Sequence, residues 1–205
     1  MSRFVVISGM FIALLSAISA CSILGPVKTQ AITTYALSTD INVNSTVAKS
    51  GGSENLWVNM PRANPGYGTD RMAYVTKPYE MNYFTKNAWV QPPAKMLQPL
   101  IADAMQASGR FHAVIMAPVF VNYHYQLDTQ LLKLQQEFSG IHSLERFEIN
   151  AQLIRTSDQK IMATHNFVYS IPVTEQTPYG GVLAANQAVK QWLIDLQRFV
   201  KSESK

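Results

Sequence analysis

Alternation of apolar and polar positions is cleanest between Phe147 and Tyr169. Phe147, Ile149, Ala151 and Leu153 occupy every second position, interleaved with Glu148, Asn150, Gln152 and Ile154. Ser157-Asp158 supplies a turn, after which Ile161, Ala163, His165, Phe167 and Tyr169 alternate again. A period of two sends successive side chains to opposite faces, so this stretch predicts an antiparallel hairpin with one core face and one mostly polar face. His165 falls on the apolar phase and reads as a half-buried, satisfied histidine. Upstream, Tyr123, Tyr125 and Leu127 alternate until the phase changes at Leu131-Leu132, which predicts a bulge or bend. Shorter apolar runs predict strands over 32–38, over 56–60 up to Pro61, and over 113–116 ahead of Pro118. Residues 71–76 and 80–84 predict a hairpin around Lys77-Pro78.

Helical periodicity appears twice. Met96, Leu97, Leu100, Ile101, Ala104 and Met105 recur at spacings of three and four, with Pro92-Pro93 suited to a first turn and Gly109 to a stop. Pro99 interrupts this pattern, so the helix either starts near Gln98 or bends in its first turn. Over 181–201, Val182, Ala185, Val189, Trp192, Leu196 and Phe199 form one broad apolar stripe. A helix of this kind covers the core face of a sheet; the competing reading is a free partner-binding or membrane-surface helix. Two helices among antiparallel hairpins predict an α+β single domain. Its sheet is mixed and largely antiparallel, with the two main helices packed on one face.

The N-terminal pattern is different. Residues 4–18 are almost wholly apolar after Arg3, and Ser19-Ala20 then lead into Cys21, the chain's only cysteine. A basic start, an apolar stretch and small residues are the three parts of a secretory signal. An aliphatic residue, two small ones and a cysteine form a bacterial lipobox, so residues 1–20 read as a signal peptide and Cys21 as the lipidation site and mature N-terminus. Residues 21–30 are then a lipidated tether, and 31–201 the folded domain. Ser22 after the cysteine, rather than aspartate, points to the periplasmic face of the outer membrane. Without Arg3 the balance is 16 basic against 13 acidic residues, mildly basic and with no Lys/Arg-dense window to suit nucleic acid.

No catalytic motif is present: there is no nucleophile elbow, phosphate-binding loop or dinucleotide fingerprint. Four histidines lack metal-ligand spacing, and the mature body has no cysteine. No catalytic residue, metal or cofactor is therefore expected. Residues 39–55, rich in Ser, Thr, Asn and Gly, read as a mobile loop, and 61–69 carries two prolines and two glycines, which is turn chemistry. Aromatics crowd the next stretch: Tyr67, Tyr74, Tyr79, Tyr83, Phe84 and Trp89, interleaved with Asp70-Arg71, Lys77 and Lys86. Such residues fill either a core or a wet contact surface for a protein or a lipid. Tyr67, Asp70, Arg71 and Trp89 are the candidate partner-binding residues, and Asp70-Arg71 offers a local ion pair.

The order of these features resembles one family. After the lipobox come Tyr35-Ala36-Leu37, a valine-containing strand into Pro61, and a turn carrying Asp70-Arg71. Tyr83, Trp89-Val90-Gln91-Pro92-Pro93 and Met96-Leu97 follow; a long strand ends in Glu137-Phe138, and the last helix carries Ala184-Ala185-Asn186-Gln187-Ala188. The chain is similar, over nearly its whole mature length, to the ABC-type transport auxiliary lipoproteins, the paraquat-inducible-protein-C-like companions of MCE-domain lipid transporters. Gly66-Tyr67-Gly68-Thr69 and Pro99 depart from the pattern. The resemblance implies a compact α/β domain and a non-enzymatic subunit that meets an MCE-domain protein and ABC transporter subunits near the membrane. It leaves room for a bound phospholipid and for a homo-oligomer. A structural or assembly lipoprotein of another envelope complex is the alternative; a periplasmic hydrolase would need a polar cleft of convergent Ser, His and Asp groups.

Overall fold

The computed structural model describes residues 31–38, 52–116 and 121–204. The expected signal, Cys21, the tether and most of the expected loop over 39–55 lie outside the described residues. The described residues from Ile32 onwards form one compact unit. In chain order the strands are β1 Thr33–Tyr35, β2 Asn55–Val58, β3 Arg62–Ala63, β4 Arg71–Lys77, β5 Glu80–Trp89, β6 Ala113–Met116, β7 Tyr125–Ser139, β8 His142–Arg155 and β9 Lys160–Pro172. The helices are α1 Pro93–Ala107 and α2 Pro178–Glu203.

All nine strands join one open, mixed sheet organised around β7. One edge of β7 pairs antiparallel with β8, which pairs antiparallel with β9. Along its other edge β7 takes three parallel partners in succession: β2 beside Tyr125–Leu127, β3 beside Gln130–Leu131 and β4 beside Gln135–Glu137. β5 then pairs antiparallel with β4, β1 pairs parallel with β5, and β6 pairs parallel with β2. Most paired residues are antiparallel, and the two helices pack on one face, as the periodicity predicts. The β7–β8 register shifts between Leu131 and Lys133, where the sequence pattern changes phase.

Burial explains that face. Phe147, Ile149, Ala151 and Leu153 of β8 are all fully buried, and Trp192 of α2 meets Phe147 edge to face at 5.5 Å between ring centres. The expected core phase of β9 is only partly kept. Phe167 and Ile171 are buried, but Ile161 is exposed and so is His165, whose ring rests against Phe167 and Phe199. α2 reaches that part of β9 with its C-terminal end, so His165 lies at the rim of the helix layer and not beneath it.

α1 starts at Pro93 and continues unbroken through Pro99. Pro99 is exposed, as is Lys95 four residues before it. The carbonyl that proline leaves unpaired belongs to Lys95 and can bond water, which lowers the ordinary penalty of an interior proline. α2 begins three residues earlier than periodicity predicts, because Thr177 caps it by accepting from the Gly180 amide at 3.0 Å. Gly180 and Gly181 follow because nothing larger fits. A Cβ would lie 2.0 Å from the Glu175 carbonyl oxygen at the first and 2.7 Å from Gln136 Oε1 at the second.

Gly181 lies over a buried polar pocket in the sheet. Gln136 of β7 donates to Ser143 Oγ at 2.8 Å, and Glu145 of β8, opposite Gln136, is 3 % exposed. The Glu145 carboxyl makes no ion pair or hydrogen bond among the described residues. Burial, reinforced by Glu137, holds its pKa well above the ordinary value of 4.5. A carboxyl that binds its proton more tightly folded than unfolded supports the fold fully below the unfolded value. That support is lost as pH rises through the folded value, at up to about 1.4 kcal/mol per pH unit. Glu145→Gln keeps the neutral shape, so it should melt higher than the parent at pH 7 and match it near pH 4. Equal melting temperatures at both pH values would mean that the first-turn amides of α2 stabilise the charged carboxylate as fully as water does.

Candidate functional site

The candidate site is the segment from Pro61 to Trp89, built from two turns with the same design and different occupants. Asn64-Pro65-Gly66-Tyr67 closes with the Tyr67 amide donating to the Asn64 carbonyl at 3.0 Å. Proline fixes the second position, and Gly66 supplies φ +99° at the third, the order of a type II turn. A Cβ on Gly66 would also strike Met81 Sδ at 2.9 Å. Lys77-Pro78-Tyr79-Glu80 joins β4 to β5 with proline in the same place, but here a tyrosine holds φ +68°. An L-residue in that region costs about 1–2 kcal/mol.

The first turn folds back onto the sheet. Tyr67 is 6 % exposed, and its hydroxyl donates to Gln135 Oε1 on β7. Gln135 Nε2 donates in turn to Glu137 at 2.7 Å, and Glu137 lies 3.7 Å from the Arg146 guanidinium on β8. Burial first, then Glu137, pushes the Tyr67 phenol up to about 12. The phenol therefore stays a donor at any physiological pH. This chain of contacts ties the turn to two strands, β7 and β8.

Above it, exposed Arg71 packs on half-buried Tyr83. The Arg71 guanidinium lies 3.6 Å over the Tyr83 ring, and the Tyr83 hydroxyl donates to the Gly66 carbonyl at 3.1 Å. An exposed contact of this kind contributes about 0.5–1 kcal/mol. No ion pair joins Asp70 to Arg71 among the described residues; the ring takes the place of the carboxylate. The Asp70 carbonyl instead accepts from the Trp89 amide at 2.7 Å. That bond forms where β5 carries extra residues, since Arg71 opposes Ala88 while Ala73 opposes Tyr83. The bulge aims the Asp70 and Arg71 side chains outwards.

Of the four residues singled out in the sequence, Asp70 and Arg71 are exposed, whereas Tyr67 and Trp89 (3 % exposed) belong to the core. Tyr67 and Trp89 support the turn from below and present no free surface. Sequence reasoning overlooked β3, Gln135 and Arg146, and gave Glu137 only a place at a strand end. A two-residue strand has no periodicity, and cross-strand contacts have no local signal.

The segment presents one cation, Arg71, one anion, Asp70, and the Tyr83 ring under the guanidinium. No group of three His, Cys, Asp or Glu residues able to hold a metal ion occurs among the described residues. No helix among them is long and apolar enough to cross a membrane.

The fold has solved counterparts. One is a Xanthomonas campestris protein assigned to the DUF330 family model: TM-score 0.66, 21 % identity, covering 84 % of this chain and 91 % of that one. A second, an uncharacterized protein, aligns with TM-score 0.64 and 12 % identity, covering 83 % of this chain and 99 % of that one. At such identities the likeness concerns the fold alone. A comparison with curated proteins returns no match. The family model for the ABC-type transport auxiliary lipoprotein component matches residues 35–195, from the last residue of β1 to Asp195 in α2. With that match spanning the folded unit, the chain belongs to the ABC-type transport auxiliary lipoprotein family.

Proposed function

We propose that this protein is a non-enzymatic, lipid-anchored subunit of an MCE/ABC-type lipid transport system. It is held at the periplasmic face of the outer membrane through Cys21 and docks the periplasmic MCE component. The observation that carries the reading is the family match across the folded domain. The lipobox at Cys21 supports the anchor, and the exposed Asp70-Arg71 turn supports the contact. Loops on a rigid frame commonly carry binding residues, and arginine and tyrosine are enriched at interface hot spots. The Tyr67–Gln135–Glu137 chain holds the turn in place, so little ordering entropy is lost on binding.

Arg71→Glu tests the contact. The substitution reverses one exposed charge and removes a stacking interaction of about 0.5–1 kcal/mol, so the melting temperature should fall by a few degrees at most. Co-purification with the MCE-domain protein should drop at least tenfold, because reversing a charge within a contact costs well over 1.4 kcal/mol of affinity. Undiminished pull-down by a folded Arg71→Glu chain moves the contact elsewhere. Loss of folding assigns Arg71 a structural role.

A further inference from the structure

Tyr79 (108 %) and Ile141 (82 %) are the most exposed large hydrophobic side chains among the described residues. The topology brings them to the same end of the sheet. Tyr79 sits in the β4–β5 turn and Ile141 in the β7–β8 turn, where Gly140 at φ +60° precedes it. Val75 of β4 lies beside Glu137 of β7, so both tips project just beyond neighbouring rows of the ladder. Beside Tyr79 runs a groove of about 570 Å³ lined by Val75, Met81, Phe138 and Leu144, with Lys77, Lys133, Glu80 and Glu137 also on its wall. Neither tip residue contributes to the core. Tyr79 also holds the left-handed backbone that the matching turn gives to Gly66. A bulky side chain kept in glycine's conformation, with its ring in solvent, points to a role outside the chain.

We propose that the two hairpin tips form a membrane-contacting end whose partner is the lipid bilayer surface. Tyr79 lies at headgroup level, Ile141 enters the acyl boundary, and Lys77 faces the headgroup phosphates. Tyrosine suits that boundary because its ring is apolar and its hydroxyl prefers water. The length of chain preceding the domain agrees. β1 begins at Thr33 beside Asn87, eight residues along β5 from Tyr79, or about 27 Å. β1 runs parallel to β5, so the chain enters it from the side of the tips. Eleven residues lie between Cys21 and Thr33, and the twelve Cα steps span up to about 40 Å. A lipid on Cys21 and the two tips can thus share one bilayer. The proposal rests on acylation of Cys21 for this reach alone.

The test uses the full acylated chain in phosphatidylethanolamine–phosphatidylglycerol vesicles. An environment-sensitive fluorophore is attached to Tyr79→Cys, Ile141→Cys or Ser157→Cys, and the parent chain shows any labelling at Cys21. Ser157 lies in the β8–β9 turn at the opposite end of the sheet. Labels at 79 and 141 should shift to the blue and be quenched by nitroxide-bearing acyl chains, while the label at 157 keeps its aqueous spectrum. Tyr79→Gly should raise the melting temperature by relieving the backbone, yet abolish quenching at 141. If labels at 79 and 141 behave like the one at 157 while the protein stays on the vesicles, the proposal is overturned and the lipid anchor stands. If they respond only when the MCE-domain protein is added, the tips are a protein contact and the bilayer proposal fails.

Discussion

Trp192→Ala should lower the stability of the folded domain by about 3–5 kcal/mol, the range for removing a large aromatic from a closed core. Trp192 is fully buried in α2 and packs edge to face on Phe147 of β8, itself fully buried. Truncation would leave a void between helix and sheet, bordered by backbone that cannot collapse into it. For a domain of this size each kcal/mol corresponds to about 2–4 °C, so the melting transition should fall by about 10 °C. Trp192→Phe provides the internal comparison. The indole Nε1 has no hydrogen-bond partner among the described residues, and a buried donor left unpaired costs about 1–3 kcal/mol. Phenylalanine removes that donor and fills most of the space, so it should lose far less than alanine. An unchanged melting temperature for Trp192→Ala would show that α2 is a detachable binding element and not part of the core.

Cys21→Ser should abolish lipid anchoring. A hydroxyl cannot replace the thiol that receives the diacylglyceryl group, and stable attachment requires more than one acyl chain at about 0.8 kcal/mol per buried methylene. Two products are expected: a chain released from the membrane fraction, or an uncleaved precursor still held by residues 1–20. Fractionation combined with intact mass distinguishes them from the acylated parent. A Cys21→Ser chain that is cleaved, unlipidated and still fully membrane-bound would contradict the lipoprotein reading. Contact through the hairpin tips alone should be weaker and reversible, so dilution or high salt separates it from covalent anchoring.

These two predictions draw on different parts of the molecule. Trp192 was legible because an amphipathic helix shows its buried stripe in one dimension, through spacings of three and four. The β8–β9 hairpin and the bulge near Leu131 were legible for the same reason with a period of two. The candidate site was only half legible. Prolines, glycines and aromatics marked 61–89 as a turn-rich contact region, but composition cannot say which aromatic turns inwards. Tyr67 and Trp89 went to the core, and Arg71 exchanged an expected carboxylate for the Tyr83 ring. Glu145 shows the limit most plainly. A glutamate on an alternating strand reads as solvent-facing, yet its position in β8 lies on the same face as Phe147 and beneath Gly181.

By itself, the sequence determined most of the elements and the family, because both are carried by short-range order: periodicity along a helix or strand, and proline and glycine at turns. Tertiary structure decided how β2, β3 and β4 share one edge of β7, which carboxyl is buried with no partner among the described residues, and that Tyr79 and Ile141 lie at the same end of the sheet. Those outcomes depend on pairings between segments as much as 69 residues apart, as Leu56 is from Tyr125. Their register is set by the summed burial of a whole face, which no local window of residues contains.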